Sequence, residues 1–139
     1  MGKRGVKYEH DGHTFDSKLE INHYNILKEN DDIIEIIDMQ KKFLLLPFEF
    51  TYIDFPQKKK RKYRDMIYTP DFIIKVKGYD KLVAMESKGY PRKDYNIRKK
   101  LFIREHGDEY YHYECRSAKQ LREDIEYIRK VLEDEKVKG

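Results

Sequence analysis

At 139 residues, 40% of them charged and 39% hydrophobic, the chain is long enough for one domain around a single core and too short for two. Its 30 Lys+Arg against 26 Asp+Glu leave a formal charge of +4, a modest excess in which local clusters matter more than the total. The lone Cys115 excludes an intrachain disulfide framework and a cysteine-based zinc site. No apolar run approaches about 18 residues and no signal-peptide core is present, so a soluble cytoplasmic protein with no membrane partner is expected. The five histidines lack paired ligand spacing, and each is expected to be a hairpin, surface or helix-packing residue. Nucleotide-binding glycine fingerprints are missing too.

In chain order, residues 1–7 read as a basic arm carrying Lys3 and Arg4. Asp11-Gly12 between Val6–His10 and His13–Phe15 is a strong signal for a two-residue hairpin. Ser17-Lys18-Leu19-Glu20 fits a helix capping box, with Asp16 as a competing cap, and predicts a helix to about Asn30. Leu19, His23, Ile26 and Leu27 form its inward stripe, with Glu20 at the border. On local grounds Glu20 is as well explained as a capping carboxylate as by any other role. Asp31 to Gln40, with Ile33, Ile34, Ile36 and Ile37, predicts a short strand. Phe43 to Phe55 reads as extended, with Pro47 marking a bulge or edge. Residues 56–65 form a basic loop holding Lys58, Lys59, Lys60, Arg61, Lys62 and Arg64, expected at the tip of a hairpin. Such a run is commonly no more than a solvated loop.

Met66 to Gly89 carries the strongest signal. Two runs rich in Ile, Val and aromatics flank Gly78-Tyr79 and predict adjacent antiparallel strands. A two-residue loop pairs Lys77 with Asp80, and a four-residue loop pairs Val76 with Lys81. Either register sets Asp71 directly opposite Glu86, on one face and roughly 5 Å apart, where like charges destabilise a sheet. Lys88 returns to the same face two residues on. The bland reading is a solvated edge hairpin whose charges neutralise one another. The sharper one is a hard divalent cation held between oxygens.

Beyond it, Gly89-Tyr90-Pro91 breaks the strand and Asp94 is placed to cap a helix from Tyr95 to about His106. Ile97, Leu101 and Phe102 are expected inward, with Arg92, Lys93, Arg98, Lys99, Lys100 and Arg104 on the remaining surface. Tyr110–Cys115 predicts a strand. Ser117-Ala118-Lys119-Gln120 is a second capping box, followed by Leu121, Ile125, Ile128, Val131 and Leu132 at helical spacing. Residues 133–139 are expected to fray.

Pro70-Asp71 followed by Glu86-Ser87-Lys88 resembles the PD-(D/E)XK nucleases, and the order of elements matches their core over roughly residues 14–132. Phe15-Asp16-Ser17-Lys18-Leu19-Glu20, Tyr68-Thr69-Pro70-Asp71-Phe72, Glu86-Ser87-Lys88-Gly89 and Lys99-Lys100-Leu101-Phe102-Ile103-Arg104-Glu105 are similar to the endonuclease I type of phage Holliday junction resolvase. The same blocks, Lys99-Lys100-Leu101-Phe102 above all, also resemble a family of small phage and prophage proteins without an assigned function. The basic insertion from Lys58 to Arg64 lengthens the loop before the Pro-Asp strand relative to the resolvase.

The resemblance implies an α/β (mixed α+β) fold, a restriction-endonuclease-like core with a central mixed β-sheet flanked by helices. It implies a metal-dependent endonuclease hydrolysing DNA phosphodiester bonds in phage or prophage recombination or repair, on branched DNA. Glu20 from the first helix, Asp71, Glu86 and the Ser87 backbone carbonyl would hold Mg2+, with Mn2+ substituting. Lys88 would orient or help deprotonate the attacking water, or bind the phosphate. Positioning is favoured over a neutral general base, because two carboxylates beside a lysine help it keep its proton. Lys3, Arg4, Lys58, Lys59, Lys60, Arg61, Lys62, Arg64, Arg98, Lys99, Lys100 and Arg104 would grip the DNA backbone without reading sequence. Symmetric cutting of a four-way junction implies a homodimer with two active sites. The rival expectations are a non-catalytic DNA-binding module on a nuclease fold and a nuclease subunit of a larger assembly.

Overall fold

The computed structural model describes residues 7–88 and 94–138, the side chain of Lys138 excepted. Along the chain it builds strands β1 (Tyr8–His10) and β2 (His13–Phe15), helix α1 (Lys18–Glu29), and strands β3 (Ile34–Met39), β4 (Phe43–Leu46), β5 (Phe50–Ile53) and β6 (Lys60–Tyr63). There follow β7 (Met66–Tyr68), β8 (Phe72–Val76), β9 (Leu82–Ser87), helix α2 (Tyr95–His106), β10 (Tyr110–Cys115) and helix α3 (Ala118–Lys138). Asp11 at φ 52° and Gly12 at φ 78° turn β1 into β2, the backbone signature of the expected hairpin.

The fold is mixed α+β. Its central sheet runs β10-β9-β8-β3, with β10 parallel to β9 and the other two pairings antiparallel. Because side chains alternate along a strand, this sheet feeds two layers. Phe72, Ile74 and Val76 of β8 and Val83 and Met85 of β9 join Tyr24, Ile26 and Leu27 of α1 and Leu121 and Ile125 of α3. Ile73 and Ala84 face the opposite way, into Phe43, Leu45, Tyr68, Tyr95 and Phe102. Both faces of β8 and β9 are thus covered, which is why their sequences are apolar runs rather than alternations. Tyr95 and Phe102, two turns apart, dock α2, so Phe102→Ala would cost about 3–5 kcal/mol. Ile97, expected inward, is 56% exposed, because those two aromatic rings leave it on the outer flank. Among the described residues, no helix is long and apolar enough to cross a membrane.

The motif hairpin keeps the expected register: Phe72 pairs with Met85, Ile73 with Ala84 and Ile74 with Val83. Its loop is wider than either expected turn. Pairing stops at Ile74 and Val83, and the Tyr79 N–H closes on the Val76 carbonyl at 3.1 Å. Gly78 has φ +87°, a backbone that favours glycine, and a Cβ there would lie 2.6 Å from Leu132 Cδ2, a side-chain end that would have to shift. Leu132 sits on α3, which does not fray at residue 133 but stays helical to Lys138, a stretch without glycine or proline.

Phe43 to Phe55 is not one strand. Pro47 ends β4, and the next two N–H groups, of Phe48 and Glu49, bond to Asp65 Oδ1 at 2.7 and 3.0 Å. The chain then restarts as β5. Strand β4 pairs with β7, whereas β5 pairs with β6 as a separate two-stranded arm.

Candidate functional site

Three pieces of chain meet at one rim of the central sheet. Asp71 stands one residue before β8, and continuing the observed register puts it opposite Glu86, on the face shared with Ala84. Asp71 Oδ2 accepts the Ser87 backbone N–H at 2.7 Å and Oδ1 accepts Gln40 Nε2 at 3.2 Å. The Gln40 N–H in turn donates to the Asp71 carbonyl at 3.2 Å, which ties the end of β3 to the same residue. Glu86 Oε2 accepts the Tyr68 hydroxyl at 3.4 Å, and Lys88 Nζ lies 3.5 Å from Glu86 Oε1. The lysine ammonium also sits 4.7 Å from the Tyr95 ring centroid, so a ring of α2 and a carboxylate of β9 hold it between them.

Glu20 arrives from the other layer, at the N-terminus of α1. Ser17 Oγ accepts its backbone N–H at 3.1 Å, the first half of a capping box. Its Oε2 accepts the Asp16 N–H at 3.4 Å, one residue earlier than the cap itself. The second box repeats this geometry: Ser117 Oγ accepts the Gln120 N–H at 3.0 Å, and Gln120 Oε1 accepts the Arg116 N–H at 2.9 Å. Capping and cleft are therefore not alternatives for Glu20, which takes part in both.

Glu20, Asp71 and Glu86 are only 6%, 8% and 7% exposed. Together with Asp16, Ser17, Gln40, Thr69, Ser87 and Lys88 they line an open cleft of about 580 Å3. Burial, then repulsion from Asp71, pushes the Glu20 carboxyl up to about 8, against a weaker pull from the Asp16 N–H. The same two causes push Glu86 up to about 7, opposed by Lys88 and Tyr68. Asp71 is raised by burial despite the Ser87 N–H, Gln40 and Lys88. Three buried carboxyls thus resist ionising together, a condition that a bound cation relieves.

The donor set is oxygen-only, which suits a hard divalent ion such as Mg2+ and not a soft one. Among the described residues no group of three or more His, Cys, Asp or Glu is already gathered tightly enough to hold a metal. The reason is architectural. Asp71 and Glu86 lie on the α2 face of the sheet, while Glu20 reaches over the rim from the α1 side. The chemistry of the site fits such an ion, in an open half-shell rather than a closed cage.

A second cavity of about 270 Å3 shares Thr69, Glu86 and Lys88 with the cleft and adds Tyr68, Asp94, Tyr95 and Arg98. Asp94 stands at the N-cap position of α2, and its carboxylate takes the Arg98 Nε at 2.9 Å. Arg98 also reaches the Ile67 carbonyl.

The expected basic residues are scattered. Lys3, Arg4, Arg92 and Lys93 lie outside the described residues. Lys60, Arg61 and Lys62 are not at a hairpin tip but in β6, and only Lys58 and Lys59 belong to the turn. Arg61 pairs with Asp54 at 2.7 Å and Lys62 with Glu49 at 2.8 Å. On α2, Lys99 lies 3.8 Å from Glu114 and Arg104 3.8 Å from Glu105, while Lys100 is exposed. Pairs this exposed are worth about 0–1 kcal/mol and leave the cations free to exchange partners.

Sequence reasoning assigned nothing to Gln40, Tyr68 or Tyr95, which position Asp71, Glu86 and Lys88. Nor did it give His23 a role beyond packing. That ring is fully buried, with Nδ1 2.6 Å from Ser87 Oγ and Nε2 3.6 Å from Cys115 Sγ, and so links α1 to β9 and β10 behind the cleft. Burial holds His23 below the usual histidine range, and His112, beside Tyr68 at 2.9 Å, is pushed down to about 4 by burial and Lys99. Both shifts favour the neutral ring.

Fold and cleft define a mixed α+β protein with three buried carboxyls at one rim of its central sheet. Residues 3–122 match the family described as a protein of unknown function (DUF1064), and the chain belongs to that family. No curated protein and no solved structure matches it.

Proposed function

We propose that this protein is a metal-dependent endonuclease of the PD-(D/E)XK type, hydrolysing DNA phosphodiester bonds. The observation that carries the reading is the register of β8 and β9, which opposes Asp71 to Glu86 in a cleft that also buries Glu20. Three buried carboxyls and one lysine at a sheet rim cost stability as they stand. A site for a doubly charged ion and a phosphate accounts for that cost.

Glu20, Asp71, Glu86 and the Ser87 carbonyl would hold Mg2+, with Mn2+ substituting. Bound there, the ion would supply a Lewis acid for the charge growing on the phosphate oxygens. The chain's own groups do the rest. Gln40 and the Ser87 N–H fix the Asp71 carboxylate, and Tyr68 fixes that of Glu86. Lys88, steadied by Glu86 and the Tyr95 ring, offers its ammonium to the phosphate or the attacking water as a positioned cation. Arg98, which lines the adjoining cavity, would meet the next phosphate of the strand. Branched DNA of phage or prophage recombination is the substrate that best matches the resemblance, and symmetric cutting of a four-way junction calls for two copies.

The test is a cleavage panel with purified protein and labelled linear, nicked, flapped and four-way DNA, with Mg2+ or with excess EDTA. Cutting that requires Mg2+ and disappears in Glu86→Gln supports the reading. Binding without cutting on every substrate makes the chain a DNA-binding module instead.

A further inference from the structure

The β5–β6 arm has a feature that a phosphate grip does not explain. Directly paired residues share a face, so Phe50 with Tyr63 and Tyr52 with Arg61 form one side, while Thr51 with Lys62 and Ile53 with Lys60 form the other. The first side is a ladder of rings. Phe48 stands 5.5 Å from Phe50, Phe50 5.3 Å from Tyr63, and Tyr63 5.3 Å from Tyr52 with only 11° between the last two planes. These four rings are between 38% and 50% exposed, and Phe55 in the turn is 93% exposed. A contiguous apolar strip of this kind on a soluble surface marks a contact.

Two occupants compete: a second copy of this chain and a nucleic acid. Charge decides between them. Six cations fall between Lys58 and Arg64, so two arms laid together would oppose like charges, whereas a polyanion is attracted. The form of nucleic acid follows from the rings. A duplex shows a protein its backbone and base edges, whereas unpaired bases offer the π-faces on which aromatic side chains stack.

We infer that the arm is a stacking platform for an unpaired DNA segment, with Phe50, Tyr52 and Tyr63 under the bases. Arg61 stands beside them on the same face to meet its phosphates, and Lys60 and Lys62 on the reverse face add to the positive field. This rests on the nuclease reading and deepens it: the substrate carries single-stranded DNA next to the cut. Tyr63 and Asp71 are eight positions apart, so Tyr63 lies no more than about 29 Å from the cleft residue Asp71.

The experiment measures fluorescence anisotropy of labelled (dT)20 and of a 20-base-pair duplex in EDTA, where no cutting competes, with wild-type protein, Phe50→Ala, Tyr63→Ala and Tyr63→Phe. Each alanine should weaken (dT)20 binding about fivefold to a hundredfold, with duplex binding changed less than twofold and Tyr63→Phe close to wild type. Circular dichroism of each variant checks that the sheet is intact. Equal losses on both DNAs, or none on (dT)20, overturn the inference. So does a concentration-dependent dimer, seen by sedimentation, that the alanines dissolve, since the arm would then join two copies. If (dT)20 binding behaves as expected but no DNA is cut with Mg2+, the nuclease reading fails and the platform stands. If DNA is cut while both alanines bind (dT)20 normally, the platform fails and the nuclease stands.

Discussion

Asp71 Oδ2 accepts the backbone N–H of Ser87 at 2.7 Å, so the carboxylate after Pro70 ends the strand ladder at the residue pair where Glu86 faces it. One side chain thus has a structural duty and an electrostatic one, and substitutions separate them. Asp71→Ala leaves the Ser87 N–H without its acceptor and should cost about 1–3 kcal/mol. Asp71→Asn keeps an acceptor but removes the charge that repels Glu20 and Glu86. In EDTA at pH 8 it should melt above wild type, while both variants lose Mg2+-dependent cutting. Thermal melts settle this, and an Asn variant melting below wild type would refute the repulsion argument.

The same repulsion gives the metal-free protein a pH dependence of definite sign. Glu20 is pushed up to about 8 and Glu86 to about 7, and Asp71 is raised as well. Between their ordinary values near 4 and about pH 8, the folded state therefore binds more protons than the unfolded chain. Stability in EDTA should fall as pH rises through that window and level off above it, by a few kcal/mol in all. Mg2+ should flatten the slope, because the ion and the protons compete for the same oxygens. Denaturant titrations at pH 5.5 and pH 8, with and without Mg2+, check both statements.

Cap and cleft can be separated at the start of α1. Ser17→Ala removes the oxygen that accepts the Glu20 N–H and should cost about 1 kcal/mol with cutting largely retained. Glu20→Gln keeps a side-chain oxygen for the Asp16 N–H at 3.4 Å and sheds a buried charge. It should melt no lower than wild type in EDTA, yet lose cutting by orders of magnitude. A variant that melts early but cuts normally would return Glu20 to capping alone.

The opposition of Asp71 to Glu86 was legible in the sequence because a strand repeats every two residues and the two partners are only a hairpin apart. The loop could widen back to Ile74 and Val83 without altering the pairing. What supports the pair was not legible. Gln40, Tyr68 and His23 reach Asp71, Glu86 and Ser87 across 31, 18 and 64 residues of sequence, contacts made only once the layers close. Pro47 signalled an irregularity correctly, yet a proline cannot reveal that the N–H groups after it turn to Asp65 and release a separate arm. Glu20 remained ambiguous for a physical reason: the capping box and the cleft use the same carboxylate.

Lys88 should behave as a buried counter-charge. Its Nζ stands 3.5 Å from Glu86 Oε1, with the two side chains 14% and 10% exposed. Lys88→Met leaves a carboxylate whose acidity now rests on Tyr68 alone, so Glu86 should rise further. The loss of stability should be about 3 kcal/mol at pH 8 and shrink towards pH 5, where Glu86 is already protonated. Cutting should fall steeply, and Lys88→Arg should not restore it, because a longer planar guanidinium stacks on the Tyr95 ring but does not put a compact point charge beside Glu86 Oε1. A stability loss equal at both pH values would mean that Lys88 contributes packing and not charge.

The last prediction concerns the cations of the arm. Arg61 pairs with Asp54 and Lys62 with Glu49, whereas Lys58, Lys59 and Lys60 make no ion pair with a carboxylate among the described residues. A cation already paired neutralises less phosphate charge and so displaces fewer counterions from DNA, and the two groups should differ in salt dependence. Replacing Lys58, Lys59 and Lys60 together by Gln should lower the slope of log Kd against log salt by about 0.9 for each phosphate no longer neutralised on duplex DNA. Arg61→Gln frees Asp54 as it removes its own charge, which adds a repulsive carboxylate. It should weaken binding at every salt concentration by more than its share of the slope. Duplex titrations from about 50 to 200 mM salt measure both quantities. If the triple variant leaves the slope unchanged, the run from Lys58 to Arg64 is a solvated surface.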